Sequence, residues 1–377
     1  MKIGMVLYPT FGGSGVVATE LGKALASKGN QVHFITYSMP VRLDILAENV
    51  HYHEVKVVDY PLFEYAPYEL ALASKLVSVV KKERLDILHV HYAIPHAYAA
   101  FMAKQILAAE GISISVITTL HGTDITLVGR NPSYNPAVTF SINQSDLVTC
   151  VSESLKEETY EYFDVHKDID VVPNFIDFDQ YVDDKPCVRA GIAPNNESIV
   201  THVSNFRRLK RTEDVVHVFA RILKEKPAKL LFVGDGPARI RTEQLVKDLG
   251  LRDDVVFMGK SNDVIRILCL SDLFILPSEH ESFGLAALEA MAARTPVISS
   301  NAGGIPEVNI HGVSGYVSEI GDVDDMANNA LKLLCNPTQL EHFKQAAFET
   351  ARKYDIDAIL PQYEELYERV MVSRQLS

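Results

Sequence analysis

Lys2-Ile-Gly-Met-Val-Leu7, Gly12-Gly-Ser-Gly15 and Gln31-Val-His-Phe-Ile-Thr36 open the chain, and they decide its architecture. The first stretch is apolar at nearly every position, as a parallel strand buried on both faces should be. A glycine-rich turn follows, then a helix-length segment over 14–27, then a second apolar strand. The alternation continues with strands expected over 50–55, 87–90, 115–119 and 147–151 and helices over 70–82, 95–110 and 152–162. Such alternation predicts an α/β fold with a parallel sheet covered on both faces.

The pattern breaks at Val171-Val-Pro-Asn-Phe-Ile-Asp177 and through two polar stretches, Asp183-Asp-Lys-Pro186 and Pro194-Asn-Asn-Glu197. It then restarts. Strands are expected over 198–203, 229–233, 254–258, 273–276 and 296–299, and helices over 212–224, 238–249, 263–270, 283–293 and 322–334. Two doubly wound units follow, one over 1–172 and one over 173–354. A closing helix carries Leu360, Tyr363, Leu366, Tyr367 and Val370 at helical spacing. Packing of 355–377 back on the first unit is one option for it. Ligands of such sheets bind outside the carboxyl ends of the strands, so the loops there are where chemistry is expected.

Composition narrows the classes. The 377 residues are 47% hydrophobic and 23% charged, an ordinary globular balance. The net charge of −13 disfavours nucleic acid and anionic membrane as partners. No apolar run approaches the roughly 18 residues that a membrane span needs, and the opening strand does not have the layout of a signal peptide. The cysteines at 150, 187, 269 and 335 show no metal-type spacing and read as reduced thiols of a cytoplasmic protein. The oligomeric state is open, a homodimer being one option.

Against that acidic background Arg207-Arg208-Leu209-Lys210-Arg211 places four cations in five residues at a strand end, and suggests an anionic ligand. Pro277-Ser-Glu-His-Glu-Ser-Phe-Gly-Leu-Ala-Ala-Leu-Glu289 follows another strand. Ser282 is expected to cap a helix opening near Phe283 and Gly284. Glu281 then lies before the helix and Glu289 roughly 7–8 Å along it, with free N–H groups between them. A nucleotide sugar, with hydroxyls at both ends and a diphosphate in the middle, fits that layout. The turns at Gly234, at Met258 and at Gly303-Gly304 lie on the same rim.

In the first unit, Gly12-Gly-Ser-Gly15 lacks the Gly-x-Gly-x-x-Gly spacing, and the second strand ends without an acid to hold a ribose, so a dinucleotide site is not expected. His121 follows a strand, with Asp124 able to orient backbone nearby. His89-Val-His91-Tyr92 and His96 end another, without an acid at metal spacing. Four Asp-x-Asp pairs fall in linkers and at helix starts, where aspartate caps. No metal and no cofactor is expected.

Taken together, Gly12-Gly-Ser-Gly15, Arg207 with Lys210, and Glu281-Ser-Phe-Gly284 with Glu289 resemble the retaining glycosyltransferases of family 4, over essentially the whole chain. The resemblance implies the GT-B fold: two Rossmann-like domains facing each other across a cleft. Within the family, His89-Val-His-Tyr-Ala-Ile-Pro-His96, Thr118-Thr-Leu-His-Gly-Thr-Asp124 and Ser204-Asn-Phe-Arg-Arg-Leu-Lys-Arg211 resemble the members that transfer N-acetylglucosamine from UDP to L-malate, opening bacillithiol biosynthesis. It further implies His121, Lys210 and Glu281 as catalytic residues. Donor-binding residues would be Gly15, Asn205, Arg207, Lys210, Gly234, Met258, Glu281, Phe283, Gly284, Leu285 and Glu289. Glu289 would hold the ribose, Arg207 and Lys210 the diphosphate. Ser14, Tyr92, Thr119 and Arg130 would meet the acceptor. Many members carry Gly-Arg where this chain has Ser204-Asn205, and Arg207 is taken to replace that cation. Another acceptor, lipid or glycan, and a non-catalytic nucleotide-sugar sensor are the competing functions.

Overall fold

The computed structural model describes residues 1–10, 12–58, 61, 63–181, 189–261 and 263–376. The polar stretch at Asp183 and the thiol of Cys187 lie outside them. The chain divides into two units: Met1–Phe175 with Ile356–Ser377, and Ile176–Asp355. The division after Phe175 lies close to the expected 172, and Val172 to Phe175, which follow the last strand of the first unit, are buried or half-buried.

The first unit carries seven strands: β1 (Lys2–Val6), β2 (Gln31–Thr36), β3 (Val50–Glu54), β4 (Ile87–His91), β5 (Ser115–Leu120), β6 (Leu147–Cys150) and β7 (Ile169–Val171). All pair in parallel, in the order β3-β2-β1-β4-β5-β6-β7. Val6 lies beside Ile35 on one side and Val90 on the other, so β1 is where the winding reverses. The helices Tyr68–Glu83 and Tyr98–Ala109 cover one face through Leu72, Leu76, Ala99, Ala103 and Leu107. The second of these was expected from 95. Ile94 is extended (φ −128°, ψ 140°), as the residue before a proline prefers, and regular helix begins only at Tyr98.

The closing helix, Ile356–Leu376, belongs to the first unit. Tyr363 and Tyr367 are its buried anchors, and the Tyr367 hydroxyl bonds Nδ1 of His89 at 2.8 Å. Arg369 pairs with Asp170, and Arg374 donates to the carbonyls of Asp86 and Ser113.

The second unit repeats the plan with β8 (Ser198–Val203), β9 (Ala228–Val233), β10 (Val255–Gly259), β11 (Leu273–Leu276), β12 (Val297–Ser300) and β13 (Gly315–Ser318). The order is β10-β9-β8-β11-β12-β13, again parallel, with the reversal between β8 and β11. The helix Thr212–Glu225 buries Val215, Val216, Val218, Phe219 and Ile222 against Phe206, Leu230 and Phe232. Truncating a ring such as Phe219 in so closed a core costs about 3–5 kcal/mol. In a doubly wound sheet the reversal leaves a crevice at the carboxyl edge where neighbouring loops part in opposite directions. Each unit therefore presents one such place, after β1 and β4 in the first and after β8 and β11 in the second.

Cys150 is buried and Cys335 exposed, both outside any disulfide. Cys269 is disulfide-bonded, which corrects the expectation of four reduced cysteines. Among the described residues no helix is long and apolar enough to cross a membrane.

Candidate functional site

In the second unit the cationic loop leaves β8 through a fixed turn. The side chain of Phe206 (φ 39°) is fully buried, 5.5 Å from the ring of Phe232, and pins the loop to the core. Buried His202 supports the same turn. Its Nδ1 lies 2.8 Å from the carbonyl of Ile275 and must donate to it, so Nε2 is bare and accepts from the Ser204 hydroxyl at 2.8 Å. Burial pushes that imidazole down to about 4, which keeps it neutral. Arg207 and Arg208 then stand exposed, with no ion-pair partner among the described residues. Asn205 is also exposed.

Lys210 turns the other way. Its ammonium pairs with the carboxylate of Glu281, and both side chains are less than one-fifth exposed. Ser278 donates to the same oxygen, Oε2, at 3.3 Å. The amide of Glu279 donates to the carbonyl of Leu209 at 2.7 Å, so the loops after β8 and β11 are tied through backbone as well. The Glu281 carbonyl accepts from the amide of Gly304, in the loop after β12, at 3.0 Å. Gly303 (φ 51°) passes so close that a Cβ there would stand 2.1 Å from that carbonyl oxygen.

The loop after β9 closes in from the other side. Gly234 has φ 117°, and a Cβ on it would lie 1.8 Å from the carbonyl oxygen of Ser204. Its amide donates to the carbonyl of Gly259 at the end of β10, 2.8 Å away, beside exposed Met258. The loops after β8, β9, β11 and β12 and the end of β10 thus adjoin along one edge of the sheet.

The helix after β11 is Leu285–Ala292. Its N-cap is Gly284, in the left-handed conformation (φ 96°), and not Ser282 as expected. The glycine takes up the sharp turn, and the N–H groups of the first helical turn keep no helical acceptor. Phe283 is buried with its ring 5.6 Å from that of Tyr354, so its side chain anchors the loop rather than facing a ligand. Glu289 is half-buried, four residues beyond Leu285 on the same helix.

In the first unit the loops after β1, β4 and β5 carry the candidates. Gly15 is buried in the first turn of the helix Gly13–Ser27, and Ser14 bonds the Tyr92 hydroxyl at 2.6 Å. Tyr92 (φ 87°) has its amide on the carbonyl of Thr119 at 2.8 Å. The hydroxyl of Thr119 is itself fully buried, bonded to Nε2 of His89 and to Thr149, each at 2.7 Å. Thr119 thus supports Tyr92 from within the sheet. Arg130 is exposed and lies over the Tyr162 ring, 3.9 Å from its centre.

Asp124 organises this region. Its carboxylate accepts from the amides of Ala93 at 2.9 Å and Gly122 at 3.0 Å, joining the loops after β4 and β5. Burial nonetheless pushes its acid from the ordinary 3.8 up to about 6. His121 is buried beside it, and desolvation pushes that imidazole down to about 3. Ser278 and Met5, the latter packed at 3.1 Å on His91, carry no signal in the sequence that sets them apart from ordinary strand residues. Among the described residues no group of three or more His, Cys, Asp or Glu is disposed to hold a metal ion.

Comparison with known proteins bears on what such loops do. Glycosyltransferase Family 4 matches residues 11–180, and Glycosyl transferases group 1 matches 188–350. The N-acetyl-alpha-D-glucosaminyl L-malate synthase of Bacillus anthracis is 48% identical over 374 residues, 98% of this chain and 97% of that one. An uncharacterized glycosyltransferase of Methanocaldococcus jannaschii is 29% identical over 98% and 99% of the two chains. Among solved structures, the sucrose-phosphate synthase of Thermosynechococcus elongatus matches with TM-score 0.81 at 21% identity, over 99% of both chains. HepE of Anabaena in complex with UDP and glucose gives 0.81 at 19% identity, over 98% and 99%. These likenesses show the fold, two Rossmann-like domains of GT-B type.

Proposed function

The chain belongs to the glycosyltransferases of family 4, and from that premise we propose that it moves N-acetylglucosamine from UDP-N-acetylglucosamine to the hydroxyl of L-malate with retention of configuration. The substrates rest on one observation, the 48% identity along nearly the whole chain to a relative whose name states that product. The resemblance drawn from the sequence makes this the first step of bacillithiol biosynthesis.

The second unit takes the donor. Departure of UDP concentrates charge on its outer phosphate. Lys210, exposed Arg207 and the first-turn amides after Gly284 meet that charge with groups already in position, which is where such stabilisation is worth most. None of this requires a metal ion or a cofactor. Glu289 holds the ribose hydroxyls, and Glu281 meets the sugar. The carboxylate of Glu281 is already bonded to Lys210 and Ser278, so it is a weak nucleophile. A departing phosphate oxygen is the better base for the malate hydroxyl. In the first unit Ser14, Tyr92 and Arg130 meet the acceptor, and His121 a hydroxyl of the donor sugar. The compartment proposed is the cytoplasm, where nucleotide sugars and malate are made.

UDP release with UDP-N-acetylglucosamine and a panel of hydroxy acids tests the whole assignment. Release that depends on L-malate supports it. Release with another acceptor alone replaces malate, and binding without any release leaves a nucleotide-sugar sensor.

A further inference from the structure

Three residues from three adjacent strands stand in line in the first unit. Met5 lies on β1, His91 on β4, and His121 just past the end of β5. Nε2 of His91 is 3.1 Å from the Met5 sulfur, and Nδ1 of His91 is 2.8 Å from Nε2 of His121. Met5 and His91 are closed off from solvent, and the His91 ring is stacked on its neighbours, with centroids 4.5 Å from His89 and 5.1 Å from His121. Its carbonyl is also held, by Nδ1 of His96 at 2.5 Å.

Burial keeps both imidazoles neutral, so each carries one N–H. Two arrangements are then open. In the first, His91 donates from Nε2 to the sulfur and accepts at Nδ1 from the Nε2–H of His121. In the second, His91 donates from Nδ1 to His121 and turns a bare Nε2 on Met5. A thioether accepts but never donates. The second arrangement therefore leaves a buried nitrogen facing lone pairs with nothing to bond, and unmade buried bonds are what folding avoids. The first is selected. His121 then has its proton on Nε2 and none on Nδ1. That nitrogen bonds no described residue and is not among the buried polar atoms cut off from solvent.

We propose that Met5 and His91 are positioning residues that fix the tautomer of His121, so that it offers a bare Nδ1 to a hydroxyl of the substrate and turns away carboxylate and phosphate oxygens. The inference rests on His121 meeting the donor sugar, as proposed above. It assigns to that histidine a choice of partner: a sugar hydroxyl bonds there, whereas a malate carboxylate does not.

The test uses whole protein labelled with nitrogen-15 at histidine, without ligand. Ring nitrogen shifts separate protonated from bare positions, and the His121→Gln variant assigns the signals. The expected spectrum at neutral pH shows His121 protonated at Nε2 and bare at Nδ1. A proton on Nδ1 overturns the proposal, and should His121→Gln fail to fold, His121→Asn serves for the same assignment. Met5→Leu removes the acceptor, and the His121 signals should move toward the average of the two tautomers. The same variant should raise the KM for UDP-N-acetylglucosamine about fivefold, the worth of one neutral hydrogen bond, while the KM for malate stays put. Since the spectrum needs no substrate, a wrong choice of donor spoils only the kinetic arm. The expected tautomer with an unmoved donor KM would overturn the substrate half of the proposal.

Discussion

Lys210 and Glu281, 71 positions apart in sequence, form an ion pair that joins the loop after β8 to the loop after β11. Without ligand, the cation assigned to the diphosphate is thus held in place by the acid assigned to the sugar. Such a pair aims Lys210 in advance, at the cost of partly neutralising it. Lys210→Met should lower kcat by about 10²–10³, the usual loss when one preorganised charge-stabilising group is removed. Initial rates of UDP release measure it, and an unchanged kcat would remove Lys210 from the reacting centre.

The close backbone approaches give a stability prediction. Gly234→Ala forces a Cβ to within 1.8 Å of the Ser204 carbonyl oxygen, whereas at Gly29 (φ 88°) an added methyl would meet nothing within 4 Å. Gly29→Ala should cost only the left-handed conformation, about 1–2 kcal/mol. Gly234→Ala should cost more and also weaken UDP binding, because the loop at Ser204 must shift. Urea unfolding of the two variants side by side checks the order.

Asp124 sets a pH dependence. Its pKa in the folded protein, about 6, lies above the ordinary 3.8. Between those values the native state keeps a proton that the unfolded chain has released. Stability from this group is therefore present at low pH and lost as pH rises through about 6. Wild type should lose on the order of 2–3 kcal/mol relative to Asp124→Asn between pH 4 and 7. Parallel stability curves for the two proteins would remove that role.

Arg130 and Thr119 should part company. Arg130→Ala should raise the KM for malate with kcat little changed, since its exposed guanidinium is held by Tyr162 alone among the described residues. Thr119→Val should leave that KM in place and destabilise the fold by about 1–3 kcal/mol, because His89 and Thr149 lose a buried partner. Steady-state kinetics with malate varied, together with thermal unfolding, separates the two.

The strands are legible in the sequence because sheets covered on both faces need apolar residues at nearly every position, as in β1 and β11. That same feature hides Thr119. Thr118 and Thr119 are both fully buried, so no alternation marks which hydroxyl faces a loop and which the interior. β7, with Asp170 at its centre, and β13, opened by a glycine, carry too little apolar sequence to stand out. The helices Asn135–Gln144 and Pro337–Ala351 escape a reading of the sequence, each with a proline in its first turn, a residue more often taken as a break. Of the site, the cations and acids are visible as residue types at strand ends. The bonds that aim them, Lys210 on Glu281 or His91 on Met5, join strand ends far apart in sequence and leave no local pattern.

The central claim is that the carboxyl-end loops of the second unit grip a donor in two places, its diphosphate at Lys210 and its ribose at Glu289. Titration of uridine and UDP into wild type, Lys210→Met and Glu289→Gln tests it most directly. The account predicts that Glu289→Gln weakens uridine and UDP alike, while Lys210→Met weakens UDP and leaves uridine unchanged. Equal loss of both ligands in Lys210→Met, or no loss of uridine in Glu289→Gln, would contradict it.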